Sequence, residues 1–173
     1  MIRRMKPALL VSLVFFASGC QLFGKTAAVV GLGPNEVETV GLMAASGENP
    51  SALLFDIAFA YGDAATAVLA ESDAVTWFQE QGGFCQNYSN QLDVIRVELP
   101  MGYSALLSEL PKQHKVAQTI YVFIRDVGKA DITKLATPWI YAMDGELSLL
   151  EAPPGATESG KTIVAVKGAK TLC

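Results

Sequence analysis

The sharpest alternation in the chain runs from Phe55 to Tyr61, with Phe55, Ile57, Phe59 and Tyr61 on one side and Asp56, Ala58 and Ala60 on the other. A period of two over this length predicts a strand with one heavy core face. Thr119 to Val127 predicts a second and more deeply placed strand. Ile120, Val122 and Ile124 line one face and Tyr121 and Phe123 the other, so both sides need cover and a central position follows. Further strands are predicted over Glu36 to Ala44, Leu92 to Leu99 ahead of Pro100, Tyr103 to Leu110, and Thr162 to Val166. Trp139 to Met143 and Glu146 to Leu150 flank Asp144-Gly145, a pair that favours the type I′ turn and so predicts a hairpin.

Helical patterning is confined to the stretch after Gly62. Ala64 to Ala70 is rich in alanine and free of proline. Ser72 then offers an N-cap for a second helix from Asp73 to about Gln81, where Ala74, Trp77, Phe78 and Gln81 recur at helical spacing and Gly82-Gly83 weakens or ends the run. The two aromatics are expected to dock this helix on the sheet. Strands outnumber helices and do not alternate with them, so the expected class is α+β. We expect a mostly antiparallel sheet or sandwich of about six to seven strands, with one or two short helices packed on it.

The amino terminus has a different pattern. Arg3, Arg4 and Lys6, without an acid among them, precede a nearly pure apolar run from Ala8 to Phe16, closed by Ala17-Ser18-Gly19-Cys20. A basic start, a short apolar stretch and small residues describe an export signal. About 20 apolar residues are needed to span the hydrocarbon core, and this run is roughly half that, so cleavage is preferred to an uncleaved anchor. The cysteine directly after small residues resembles the lipobox of bacterial lipoproteins, in which the thiol receives a diacylglycerol and the new amino terminus is acylated; plain secretion is the alternative. Residues 1–19 are then the signal, 20–34 the lipidated terminus and tether, and 35–173 one globular periplasmic domain. Two or three acyl chains at Cys20 would hold the protein on a bilayer, since each buried methylene contributes about 0.8 kcal/mol. Gln21 stands where the sorting pattern for inner-membrane retention places Asp, which by that resemblance sends the chain to the outer membrane, facing the periplasm.

Removal of residues 1–19 leaves 154 residues with ten basic and seventeen acidic side chains, a net of −7. Such a domain has no electrostatic attraction to nucleic acid or to an anionic membrane face, and a basic protein partner suits it better. Cys85 and Cys173 remain once Cys20 is acylated. Chain ends fray, so a terminal cysteine in an oxidising compartment is most economically explained by a Cys85–Cys173 disulfide, with two unrelated thiols as the alternative.

Candidate catalytic chemistry is thin. Gly155 to Thr162 fits G-x-x-x-x-G-K-[ST] at every position, yet Pro153-Pro154 leads into it and Ile163, Val164 and Val166 favour a strand after it. A phosphate-binding loop needs a strand before and a helix after, so a hairpin connection is the preferred reading. His114 is the only histidine, which excludes a two-histidine metal site, and a polar, exposed loop is its expected place. Ser104 in Gly102-Tyr103-Ser104-Ala105-Leu106 lacks the second glycine of a nucleophile elbow. Asp126 and Asp131 are read as solvated acids, and Gly31-Leu32-Gly33 lacks the third glycine of a dinucleotide fingerprint. No catalytic residue, cofactor or metal is expected.

Several segments together carry a resemblance. The lipoprotein-type signal, the strand Leu54 to Tyr61, the segment Ser72 to Phe78 and the strand and turn Val97 to Gly102 are similar to small lipoproteins associated with type VI secretion systems. The resemblance implies a non-enzymatic outer-membrane component that helps dock or assemble an envelope-spanning apparatus through a periplasmic protein partner. Only the lipid attachment carries over, onto Cys20. The alternative is a lipoprotein binding module such as an inhibitor, an immunity-type protein or a small-ligand carrier.

Overall fold

A computed structural model of the chain describes residues 33–45, 52–153, 163–165 and 170–173. Ten strands and two α-helices lie among them: β1 Val40–Ala44, β2 Leu53–Ala60, α1 Asp63–Glu71, α2 Ala74–Asn87, β3 Leu92–Leu99, β4 Ser104–Leu107, β5 Thr119–Ile124, β6 Gly128–Asp131, β7 Trp139–Met143, β8 Glu146–Leu150, β9 Ile163–Ala165 and β10 Lys170–Thr171. A 3₁₀ turn at His114–Val116 precedes β5. The class is α+β, as the patterning predicts, but the strands exceed six or seven. Eight of four or more residues form two four-stranded sheets, β8-β7-β1-β4 and β3-β2-β5-β6, and the short β9 and β10 extend one edge of each. Pairing is antiparallel except for β1 with β7 and β4 with β9.

Three layers result, because β2 and β5 are apolar on both faces. Phe55, Ile57 and Phe59 of β2, with Ile120, Val122 and Ile124 of β5, face the other sheet and meet Val40, Leu42, Leu107 and Ile140 in the inter-sheet core. Ala58, Ala60 and Phe123 point the other way, under Ala65 and Leu69 of α1 and Trp77 and Phe84 of α2. The small side of β2 is therefore a second buried face, where alanines leave room for helices to approach. Strand β2 pairs with both β3 and β5 and takes the middle of its sheet; β5, expected there, lies one strand from the edge.

Local chemistry explains the boundaries. Strand β5 stops at Ile124, short of the expected Val127, because Asp126 takes a left-handed conformation (φ 61°) and turns the chain into β6, which alternation alone does not reveal. The β7–β8 hairpin forms as predicted, with Asp144 and Gly145 both left-handed (φ 49° and 81°), the type I′ requirement. The first strand is shorter than expected, starting at Val40, and the segment 103–110 keeps only Ser104–Leu107. Trp139 lies across Gly41, its register partner; a Cβ there would come within 2.2 Å of the indole, so glycine lets the tryptophan cover its own sheet.

Helix α2 departs most from expectation. Its N-cap is Asp73, whose carboxylate accepts from the Thr76 N–H at 2.7 Å, while the Ser72 hydroxyl turns back to the Val68 carbonyl at the end of α1. The helix then passes through Gly82-Gly83 to Asn87. Two glycines weaken a helix in water, but Phe84, Tyr88 and the stacked Trp77 hold both ends of this one on the sheet (Trp77 to Phe84 5.5 Å, Trp77 to Phe123 4.6 Å between ring centroids). Lys129 caps α1, donating from Nζ to the carbonyls of Leu69, Ala70 and Ser72 over the Tyr121 ring, and partial burial lowers its pKa.

Candidate functional site

Cys20, the expected lipid attachment point, lies outside the described residues, as do the rest of the signal, the tether up to residue 32 and the P-loop-like string 155–162. What the structure does place is the point where the chain coming from that terminus joins the fold. Gly33 packs on the Lys115 carbonyl, so closely that a Cβ would come within 2.3 Å of the oxygen. Buried Asn35 donates from Nδ2 to the carbonyls of His114 (2.7 Å) and Ala117 (2.9 Å). The lysines complete a strap: Lys134 Nζ donates to Pro34 O at 2.6 Å and Lys115 Nζ to Val37 O at 2.9 Å. The backbone N–H groups of Glu36 and Glu38 reach the carbonyls of Thr133 and Ala136. Residues 33–38 are thus stitched to the loops at one pole of the sandwich, next to the end of β2, where Gln118 N–H donates to Ala60 O at 2.7 Å.

The opposite pole is built from the turns at 100–103, 125–128 and 144–145, reached as β1 runs from Val40 to Ala44 away from the strap. Ala44 N–H donates to Tyr103 O and Ala45 N–H to Ala142 O, which sets Tyr103 and Met143 two strands apart on one rim. Both are exposed, at 50% and 39%, as are Val75 on α2 and Leu149 on β8. Asp144 and Glu146 are exposed beside them.

A polar cluster that the patterning missed sits between sheet and helix. Asp56 is fully buried, and its register partner on β3 is Arg96. Oδ1 accepts from Arg96 Nε at 2.7 Å; Oδ2 accepts from Arg96 Nη2 (2.6 Å), Trp77 Nε1 (2.8 Å) and Gln81 Nε2 (2.5 Å). Four donors around one carboxylate satisfy a charge that would otherwise be very costly to bury, and the carboxylate raises the Arg96 pKa. An acceptor so fully occupied is positioned as a clamp between α2 and the sheet rather than as a general base. Phe78 is flanked by Arg96 (5.7 Å to the ring centroid) and Arg125 (4.9 Å). The readable signal was the lone acid between Phe55 and Ile57, facing a lone arginine in an apolar strand.

The remaining candidates are not brought together. His114 is half-buried in the 3₁₀ turn, not exposed, with Nδ1 2.8 Å from the Pro111 carbonyl. Ser104 is buried at the start of β4. Asp126 lies exposed in the β5–β6 turn, while Asp131 accepts from both the N–H and the hydroxyl of Thr133. Of Gly31-Leu32-Gly33 only Gly33 is described, within the strap. Cys85 on α2 and the terminal Cys173 stand at disulfide distance, Sγ to Sγ 2.00 Å and Cα to Cα 5.0 Å, across 88 positions of sequence. Among the described residues no helix is long and apolar enough to cross a membrane.

No protein-family model matches the chain, and no curated protein matches it. A solved structure to which it is similar is that of Serratia marcescens Lip, described as a membrane bound component of the Type VI Secretion System. The two share 13% identity and a TM-score of 0.48 over 69% of this chain and 99% of Lip. Overlap at that level carries no assignment of its own.

Proposed function

We propose that the chain is a non-enzymatic lipoprotein, anchored to the outer membrane through acyl groups on Cys20, that holds a periplasmic protein partner during assembly of an envelope-spanning, type VI-like secretion apparatus. The observation that carries the reading is the signal ending on Cys20, only 13 residues before the chain is strapped into a folded domain at Gly33. A lipid at that distance turns the strapped pole toward the bilayer and the Tyr103–Met143 rim away from it. The exposed apolar side chains of that rim, beside Asp144 and Glu146 in a domain whose net charge is −7 once residues 1–19 are removed, suit a partner that offers apolar pockets edged by basic residues. The choice of a secretion apparatus rests on the resemblance of the segments 54–61, 72–78 and 97–102.

Metabolic labelling with a clickable fatty acid, followed by cross-linking in intact cells, tests both halves. The wild-type chain takes the label and cross-links to a membrane component of the apparatus, whereas Cys20→Ala loses the label. Label retained on Cys20→Ala would refute the anchor. Recovery of a soluble toxin or a small ligand in place of an apparatus component would refute the assembly role.

A further inference from the structure

Tension between the strapped pole and the opposite rim has a defined path through the fold. After residues 33–38 the chain enters β1, which lies in the middle of the sheet β8-β7-β1-β4-β9. Its two neighbours are the strands that carry the rim: Tyr103 leads into β4, and Met143 ends β7. The β4 ladder is antiparallel, from Val40 opposite Leu107 to Met43 opposite Ser104. The β7 ladder is parallel, from Gly41 opposite Trp139 to Ala44 opposite Ala142. At the rim end β1 is tied to both, by Gly102 N–H to Ala44 O (2.6 Å) and Ala44 N–H to Tyr103 O (3.1 Å) on one side, and by Ala45 N–H to Ala142 O (2.9 Å) on the other. A pull on β1 from its start, against β4 and β7 held at their rim ends, slides β1 along both neighbours. Ladder bonds lie across the strands, so sliding strains all of them together, whereas a pull on adjacent ends of two strands opens them one by one. Every residue of β1 is buried, and Trp139 lies over Gly41, so water has poor access to replace a strained bond.

We propose that β1 is a tension-bearing link, which transmits pull between a lipid at Cys20 and a partner held at the Tyr103–Met143 rim and resists it by shear of its two ladders. The proposal rests on the reading above, in which that lipid and that rim are the points of attachment. One neighbour is parallel and the other antiparallel, yet both are loaded in the same sense, because each is gripped at the end far from the strap. A protein that only had to be kept near a membrane needs no such alignment. Here the strand that receives the tether is flanked on both sides by the strands that end in the exposed rim residues.

Single-molecule pulling on the mature chain, residues 20–173, tests the link, with one handle ligated at residue 20 in place of the lipid. The second handle is clicked onto an azide-bearing phenylalanine at one of two exposed positions. In place of Glu146, which pairs with Met143 at the rim, it gives the direction proposed. In place of Glu109, just beyond β4 at the strapped pole, it pulls β1 and β4 apart from adjacent ends of the same fold. Rupture force reads the barrier to unfolding along the direction of pull, so at one loading rate the 146 attachment should break at roughly twice the force of the 109 attachment or more. It should also break in one step that frees the chain from residue 33 to residue 146. Equal forces in the two directions overturn the proposal, as does a trace in which the β7–β8 hairpin comes away before β1. The anchor has its own readout in the fatty-acid label on Cys20. A weak β1 in a protein that takes the label overturns the link and leaves the anchor standing, whereas a strong β1 in a protein that takes no label overturns the transmission of pull from a membrane.

Discussion

At the scale of single residues, the costliest group to disturb is the Asp56 carboxylate. Removing one partner of a buried ion pair leaves the other charge without compensation, which typically costs 3 to 5 kcal/mol. Arg96→Met should therefore destabilise the protein by about 3 kcal/mol in urea unfolding. Adding Asp56→Asn should return more than half of the loss, because the amide oxygen still accepts from Trp77 while the orphaned charge is gone. If the double variant is no better than the single one, packing of the arginine stem and not its charge is what matters. Tyr61 provides a pH signature. Its hydroxyl donates to Asp93 Oδ2 at 2.6 Å, and burial together with that carboxylate pushes its pKa far above the ordinary 10.0. The unfolded tyrosine ionises first as pH rises, so this contribution is whole below pH 10 and is lost above it. Tyr61→Phe should cost about 1 kcal/mol at pH 7, the usual net worth of one hydrogen bond. It should also flatten the alkaline decline, which Tyr121, raised mainly by burial, keeps from vanishing.

At the scale of elements, α2 shows how local preference yields to packing. Gly82 and Gly83 lie on its exposed side, and an added Cβ at either meets nothing within 4 Å. Each costs a helix interior about 0.5 to 1 kcal/mol relative to alanine. Gly82→Ala and Gly83→Ala should each raise stability by about that amount in thermal or urea unfolding, and a loss would show that the backbone at these positions is not the regular helix described. The same helix marks the limit of what was legible. β2, β3 and the β7–β8 hairpin could be read from alternation and turn chemistry, because each expresses its contacts within a few residues. The continuation of α2 past two glycines depends on Phe84 and Tyr88 meeting a distant sheet, and the partnership of Asp56 with Arg96 depends on a register 40 positions apart. Neither leaves a local trace beyond a polar residue in an apolar strand. The strap was hidden for a similar reason, since its donors Lys115 and Lys134 lie about 80 and 100 positions from their acceptors.

At the scale of the whole molecule, the proposed role becomes a question of reach. The 13 residue steps from Cys20 to Gly33 extend to at most roughly 45 Å, and beyond Gly33 the strap fixes which pole the chain leaves from. On that proposal the rim of Tyr103 and Met143 would meet its partner at a limited height above the bilayer. Inserting twenty Gly/Ser residues after residue 30 lowers the effective concentration of the domain at a fixed partner by roughly fourfold, from the −3/2 power dependence on length, so cross-linking to the partner should weaken only modestly. Deleting residues 21–30 leaves two residues and three residue steps between Cys20 and Gly33, about 10 Å of chain, and presses the strapped pole against the membrane. That variant should be lipidated and folded, with its thermal unfolding unchanged, yet should lose the cross-link, because the rim can no longer rise to its partner. The opposite pattern, with the short tether tolerated and the long one inactive, would mean that the domain works at the membrane surface through its strapped pole, and would reverse the orientation assigned to it.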